Sequence, residues 1–175
     1  MPFKNSISTL VVLVLLAFGA CAQMSSSKNL LHKHDNNPYY SHTDNTPLNV
    51  NDAVWKKILP PAVYEIAREK GTETPYTREY WNNHKKGVYY CAVCGHLLYS
   101  SDAKFDSGTG WPSFFQPINK NSIRLDADGS DGMQRTEVVC ARCGSHLGHV
   151  FDDGPAPTYK RYCMDGNVLD FEPAK

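Results

Sequence analysis

Cys91-Ala92-Val93-Cys94-Gly95 and Cys140-Ala141-Arg142-Cys143-Gly144 are two copies of one pattern. Two residues between cysteines let one tight turn aim both sulfurs at a single ion, and the glycine that follows frees the backbone to fold back. Four thiolates in a tetrahedron favour Zn²⁺. An iron tetrathiolate and, in an exported protein, disulfides are the alternatives. The doubled spacing favours zinc. Four protein ligands leave no open position for water or substrate, so one structural Zn²⁺ per chain is expected at Cys91, Cys94, Cys140 and Cys143.

Each knuckle joins short β segments. Val88 to Cys91, His96 to Tyr99, Ser122 to Leu125, Thr136 to Val139, His149 to Phe151 and Tyr159 to Cys163 read as strands. Asp126-Ala127-Asp128-Gly129 and Ser130-Asp131-Gly132 read as turns. Upstream, Asn51 caps a short helix carrying Ala53, Val54, Ile58 and Leu59. Pro60-Pro61 ends it, and Pro61 opens a second helix to Lys70 with Val63 and Ile66 on one face and Gly71 as its stop. The expected domain is mainly antiparallel β, with two hairpins stapled by the metal and short N-terminal helices.

The N-terminus differs in character. Lys4 precedes an apolar run from Leu10 to Ala20, too short to span a bilayer and suited to a signal peptide. Gly19-Ala20-Cys21 fits a lipoprotein cleavage site with Cys21 lipidated. Ala20-Cys21-Ala22 fits simple secretion with cleavage before Gln23. Either places the protein outside the cytoplasm, in a bacterial envelope or periplasm, and the only membrane contact expected is an N-terminal lipid. Residues 22–50, polar and containing His32, His34 and His42, read as a flexible linker. The expected organisation is a signal segment over 1–21, that linker, and one domain over 51–175.

Composition agrees with one globular domain. The chain has 175 residues, 41% hydrophobic and 11% aromatic, with 18 basic and 18 acidic side chains. Neutrality argues against a nucleic-acid footprint.

With four cysteines assigned to metal and Cys21 to export, Cys163 stands alone. A lone cysteine is commonly a small buried hydrophobe. Its neighbours change that reading. In a strand, Arg161 shares a face with Cys163, and a guanidinium beside a thiol favours the thiolate. His146-Leu147-Gly148-His149, followed by Asp152 and Asp153, can supply a proton donor and its orienting partner. Gly108-Thr109-Gly110-Trp111-Pro112 presents an indole, a good wall for a sulfur–methyl group.

Together these elements resemble the B-type methionine sulfoxide reductases, which act on the R epimer of methionine sulfoxide. The resemblance runs from about Asn51 to Phe171. It includes Arg68-Glu69-Lys70-Gly71-Thr72-Glu73, Glu79-Tyr80-Trp81-Asn82, both knuckles, Lys104-Phe105-Asp106-Ser107-Gly108 and Gly110-Trp111-Pro112-Ser113-Phe114. Arg135-Thr136-Glu137, His146-Leu147-Gly148-His149-Val150-Phe151 and Arg161-Tyr162-Cys163 complete it. It implies a fold of two antiparallel sheets stapled by zinc in a β-tent-like arrangement, with the zinc away from the catalytic face, Cys163 as nucleophile, His146, His149, Asp153 and Arg161 as its polar surroundings, and Trp111 as the methyl-binding wall. It also implies a sulfenic acid on Cys163, with His149 protonating the leaving oxygen and His146 and Asp153 holding the proton network. The implied partners are oxidised methionine in proteins or peptides and a thioredoxin-like reductant.

Two positions depart from the family pattern. Asp165 stands where Asn is frequent, and Thr109 where many members carry a resolving cysteine. Asp165 either depresses the thiolate fraction of Cys163 or turns outward. The rival readings are a non-catalytic zinc-stapled β module that binds a peptide or protein, and a Cys-His hydrolase, for which no oxyanion hole is legible.

Overall fold

The computed structural model describes residues 34–175. The expected signal segment and Cys21 lie outside the described residues. The chain divides into two units, and the second, residues 36–174, carries every helix and strand given below. Among the described residues no helix is long and apolar enough to cross a membrane.

Helix α1 spans Asp52–Ile58, with the Asn51 side chain accepting from the Ala53 N–H at 2.8 Å. Its buried residue is Trp55, 1% exposed, whereas Ala53 and Val54 face solvent. Trp55 packs edge-on against Tyr39, with centroids 5.2 Å apart. Helix α2 spans Pro61–Glu69 and buries Ile66 and Ala67. It ends on Lys70, which itself takes the left-handed conformation (φ 57°), so Gly71 is not the stop.

Among the described residues, nine strands form two antiparallel sheets. In the first, β1 (Gly87–Cys91) lies between β2 (Leu97–Ser100) and β9 (Leu169–Pro173). The second contains β3 (Lys104–Phe105), β4 (Ser113–Phe114), β5 (Ile123–Asp128), β6 (Arg135–Cys140), β7 (His146–Phe151) and β8 (Arg161–Met164), ordered β3-β4-β8-β7-β6-β5. The mainly β, two-sheet expectation is met. Strand β7 begins three residues earlier than read, at His146, and β5 continues through Asp128. The turn expected at Asp126–Gly129 therefore lies further on. Six ladder rungs to β6, from Ile123 with Cys140 to Asp128 with Arg135, hold those aspartates extended.

Aromatic side chains join the sheets. Phe114 of β4 stacks on Tyr99 of β2 at 4.3 Å and meets Tyr89 of β1 edge-on at 5.0 Å, and all three are fully buried. The Tyr99 hydroxyl donates to Met164 Sδ at the end of β8.

The linker expected over residues 22–50 ends earlier than read. Asn37 is buried, and its Nδ2 donates to the Val93 carbonyl at 2.8 Å. Ser41 N–H donates to Cys94 O and Leu48 N–H to Arg142 O. The buried Arg142 guanidinium donates to the carbonyls of Tyr39, Thr46 and Cys94 and to the Asp44 carboxylate. Residues 37–48 thus form a strap across both knuckles. His42 belongs to it, stacked on Tyr90 with centroids 3.8 Å apart. Its composition is polar because backbone groups make most of these contacts.

Candidate active site and metal centre

The two knuckles are the turns between β1 and β2 and between β6 and β7. Each closes identically. Cys91 N–H donates to His96 O and Gly95 N–H to Cys91 O; Cys140 N–H donates to Ser145 O and Gly144 N–H to Cys140 O. Gly95 and Gly144 stand at φ 76° and 68°, the left-handed conformation that a side chain disfavours.

The four sulfurs lie within 4.8 Å of one another, all buried. Cys91 and Cys143 Sγ are 3.8 Å apart, and Cys94 and Cys140 Sγ 3.7 Å. Metal–sulfur bonds of about 2.3 Å give a tetrahedral edge of about 3.8 Å, whereas a disulfide needs about 2.05 Å. Burial pushes the Cys91 and Cys94 thiols well up. A bound cation reverses that preference by stabilising the thiolates. The set can therefore hold a metal ion with four protein ligands.

Cys163 belongs to a different place. On β8 it pairs with Ser113 of β4 on one side and His149 of β7 on the other, which puts the three side chains on one face of the sheet. That face lines a cavity of about 420 Å³. Cys163, His146, His149, Arg161 and Trp111 all line it, and no metal-centre cysteine does. Gly148 makes the approach of β7 to β8 possible: a Cβ there would sit 2.1 Å from the Cys163 carbonyl oxygen.

Burial pushes the Cys163 thiol up. The Arg161 charge and the Thr109 and Ser113 hydroxyls oppose this, while Asp165 adds to it. The guanidinium therefore does favour the thiolate, as expected from sequence, but burial outweighs it. Thr109 Oγ1 lies 4.0 Å from Cys163 Sγ.

Asp153 is not among the lining residues. Its two oxygens hold Arg161 through Nε and Nη2, both at 2.8 Å, while the guanidinium covers the Phe151 ring at 4.4 Å. The expected contact of Asp153 with the histidines is therefore replaced by a pair with Arg161. The carboxylates that reach the histidines are Asp128 and Glu137. Asp128 Oδ2 is 2.8 Å from His149 Nε2. Hydrogen bonds from Ser130 first, then His149 and Arg135, hold Asp128 well below the usual carboxylate range. Glu137 Oε1 is 2.7 Å from His146 Nδ1, and its Oε2 accepts from Lys70 at 2.7 Å. Burial works against the Glu137 charge, but Lys70 and His146 prevail and its carboxyl is held low. Both carboxylates are therefore ionised acceptors. The nitrogen that faces each carboxylate, His149 Nε2 and His146 Nδ1, therefore bears a proton and donates it.

Asp165 does not turn outward. It is 4% exposed, and its Oδ1 accepts from Thr72 Oγ1 and the Glu73 N–H. Burial pushes it up to about 6. Glu73 is buried beside it and accepts from the N–H groups of Gly166 and Asn167. The Arg68–Glu73 and Arg135–Glu137 motifs carry no individual roles at the level of sequence. Lys70, Thr72, Glu73, Arg135 and Glu137 turn out to brace the cavity wall. The Trp111 indole N–H is buried without an acceptor among the described residues.

Residues 59–173 match the family model described as the SelR domain. The chain is 58% identical over 118 residues to the peptide methionine sulfoxide reductase MsrB of Methanosarcina barkeri, covering 67% of this chain and 83% of that protein. It is 55% identical over 122 residues to the MsrB of Thiobacillus denitrificans, covering 70% and 92%. To the MsrB of Agrobacterium fabrum it is 52% identical over 126 residues, covering 72% and 93%. A cavity that gathers one cysteine, two carboxylate-braced histidines and a tryptophan, apart from a four-cysteine knuckle pair, agrees with these matches, and the chain belongs to the B-type methionine sulfoxide reductases.

Proposed function

We propose that the chain reduces methionine R-sulfoxide in peptides or proteins, with Cys163 as the nucleophile. The observation that supports this most directly is the pairing of Cys163 with His149 across adjacent strands inside a cavity that Trp111 also lines. Cys163 sulfur attacks the electrophilic sulfoxide sulfur. The S–O bond of the sulfoxide breaks, and the oxygen ends on Cys163 as a sulfenic acid. The sulfoxide sulfur gains the electron pair that Cys163 loses. The thiol proton is held by the histidine network and returned to the oxygen, so Cys–SH and sulfoxide give Cys–SOH and thioether. An external dithiol of the thioredoxin type then converts Cys–SOH to Cys–SH, releasing water and its own disulfide.

His149 fills the acid role, braced by Asp128, while His146 is braced by Glu137. Trp111 receives the methyl group. The metal of the four-cysteine centre is zinc in this reading. It staples the β1–β2 turn to the β6–β7 turn and takes no part in the chemistry. Export by the signal segment, with Cys21 as a lipid attachment point, belongs to the same reading; mass spectrometry of the mature N-terminus from native membranes tests it. A binding module has no need of a cysteine opposed to a braced histidine.

The test is an assay with both epimers of a methionine sulfoxide peptide and a dithiol reductant. The R epimer should turn over and the S epimer should not, and Cys163→Ser should abolish turnover. Full activity in Cys163→Ser overturns the assignment.

A further inference from the structure

The cavity holds one polar juxtaposition that the reaction above does not use. Asp165 Oδ1 is fully engaged with Thr72 and Glu73, whereas its Oδ2 faces His146 Nε2 at 3.9 Å. His146 has its other nitrogen committed: Nδ1 donates to the ionised Glu137. A neutral imidazole in that tautomer presents a bare lone pair at Nε2. A lone pair and a carboxylate oxygen therefore face each other, both residues at most 5% exposed. Two buried acceptors repel unless a proton lies on one of them. The separation is about 1 Å longer than a hydrogen bond, which is common for catalytic contacts before substrate binds.

We propose that Asp165 is a positioning residue that shares one proton with His146, and that this proton decides whether a negative charge stands beside Cys163. With the proton present the couple is neutral. Once it leaves, Asp165 is an unpaired carboxylate two residues from the nucleophile, and it opposes the thiolate. The couple thereby gives the thiol a second, coupled titration. Burial supports this by pushing His146 down and Asp165 up, so neither charges readily alone.

The charged and titratable groups around the couple come from every neighbouring element. Glu137 on β6 and Lys70 after α2 form one ion pair behind His146. His149 on β7 meets the His146 ring edge-on at 5.3 Å. Arg161 and Cys163 lie on β8. Glu73 lies beside Asp165 with the Arg78 charge near it. Glu137 is neutralised by Lys70, so the state of Asp165 is left as the variable one. An asparagine at 165 accepts the same two hydrogen bonds on its Oδ1 and offers an N–H to His146 Nε2, which fixes the couple in its neutral form.

The inference rests on the proposed reaction for its purpose, but its test needs no turnover, so failure of the sulfoxide assay and failure of this idea are distinguishable. The rate of iodoacetamide alkylation at Cys163 is measured against pH for metal-loaded wild type and Asp165→Asn, with the site assigned by mass spectrometry. The two should match below about pH 5, and Asp165→Asn should be faster by about three- to tenfold above pH 7, up to one pKa unit of thiol shift. The His146 ring nitrogens, followed by NMR, should titrate in wild type over the range where the two alkylation curves part, and not in Asp165→Asn. A rate ratio that is constant with pH overturns the proposal. If Asp165→Asn does not fold, the wild-type data decide alone: a break in the alkylation curve coincident with the His146 titration supports it, and no such coincidence overturns it.

Discussion

His149 Nε2 and Asp128 Oδ2 stand 2.8 Å apart, so the histidine opposite Cys163 is oriented by a carboxylate two strands away. Asp153, nearer in sequence, is spent on Arg161. The two aspartates should separate in kinetics. Asp128→Asn should lower kcat by about 10- to 10²-fold, short of the ~10²–10⁴-fold of His149→Ala if that ring is the acid. Asp153→Asn should do less to kcat, because it frees Arg161 without disturbing the histidine. Steady-state assays on a methionine R-sulfoxide peptide decide. A larger kcat loss from Asp153→Asn would mean that the orienting role is assigned to the wrong residue.

Recycling of Cys163 should not proceed through an internal disulfide. The hydroxyl of Thr109 is the group 4.0 Å from its sulfur, and the four other cysteines among the described residues are gathered in the metal centre outside the cavity. After one turnover without reductant, a dimedone-type reagent should trap a sulfenic adduct on Cys163. Mass spectrometry that finds Cys163 disulfide-bonded to a knuckle cysteine instead would reject this scheme.

Metal and strap should be lost together. Purified protein should contain about one equivalent of zinc, and Cys140→Ser should abolish both metal content and cooperative unfolding. Arg142→Met removes the guanidinium that joins the strap to the knuckles, and with it the bonds to the Tyr39, Thr46 and Cys94 carbonyls and to the Asp44 carboxylate. It should destabilise the metal-loaded protein by about 2–4 kcal/mol in denaturant titrations. It should also speed zinc transfer to a chromogenic chelator. Metal release at the wild-type rate from Arg142→Met would show that the strap does not guard the centre.

Asp165 should make stability depend on pH in the direction opposite to most carboxylates. Its native value of about 6 lies above that of an unfolded aspartate, so the unfolded chain releases this proton first. The resulting penalty is full above pH 6 and fades as pH falls towards 4. Asp165→Asn should therefore be more stable than wild type by roughly 2–3 kcal/mol at pH 7 and no more stable below pH 4. Urea unfolding at the two pH values measures it, and an equal difference at both would remove the carboxylate as its cause.

What the sequence displays and what it hides follow from how each contact is made. The knuckles were legible because their geometry is local: two residues and a glycine determine the turn. Cys163 stands out in the sequence because the other domain cysteines fall into the two knuckles. Asp128 was hidden, because Asp-Ala-Asp-Gly has turn composition and only the ladder to β6 shows that it is extended. Glu137 was quoted in a motif, but its role depends on the β6–β7 register, which sets it across from His149 and within reach of His146. The burial of Trp55 is not legible in the sequence, since a two-turn helix shows too little period to choose its buried face. The strap reads as linker in the sequence because backbone carbonyls carry no signature in side-chain composition.

The strap also sets an order in time. Its bonds to Arg142 join residues 96 to 103 positions apart in sequence. During synthesis the segment emerges first, yet its docking surface is complete only after the second knuckle has left the ribosome. Closing so long a loop is among the slow events of folding. The first knuckle must therefore wait as an open pair of thiols while nearly fifty further residues are made (Cys94 to Arg142 is 48 positions). Throughout that interval the strap has no complete surface to dock on, so it can cover those thiols only afterwards.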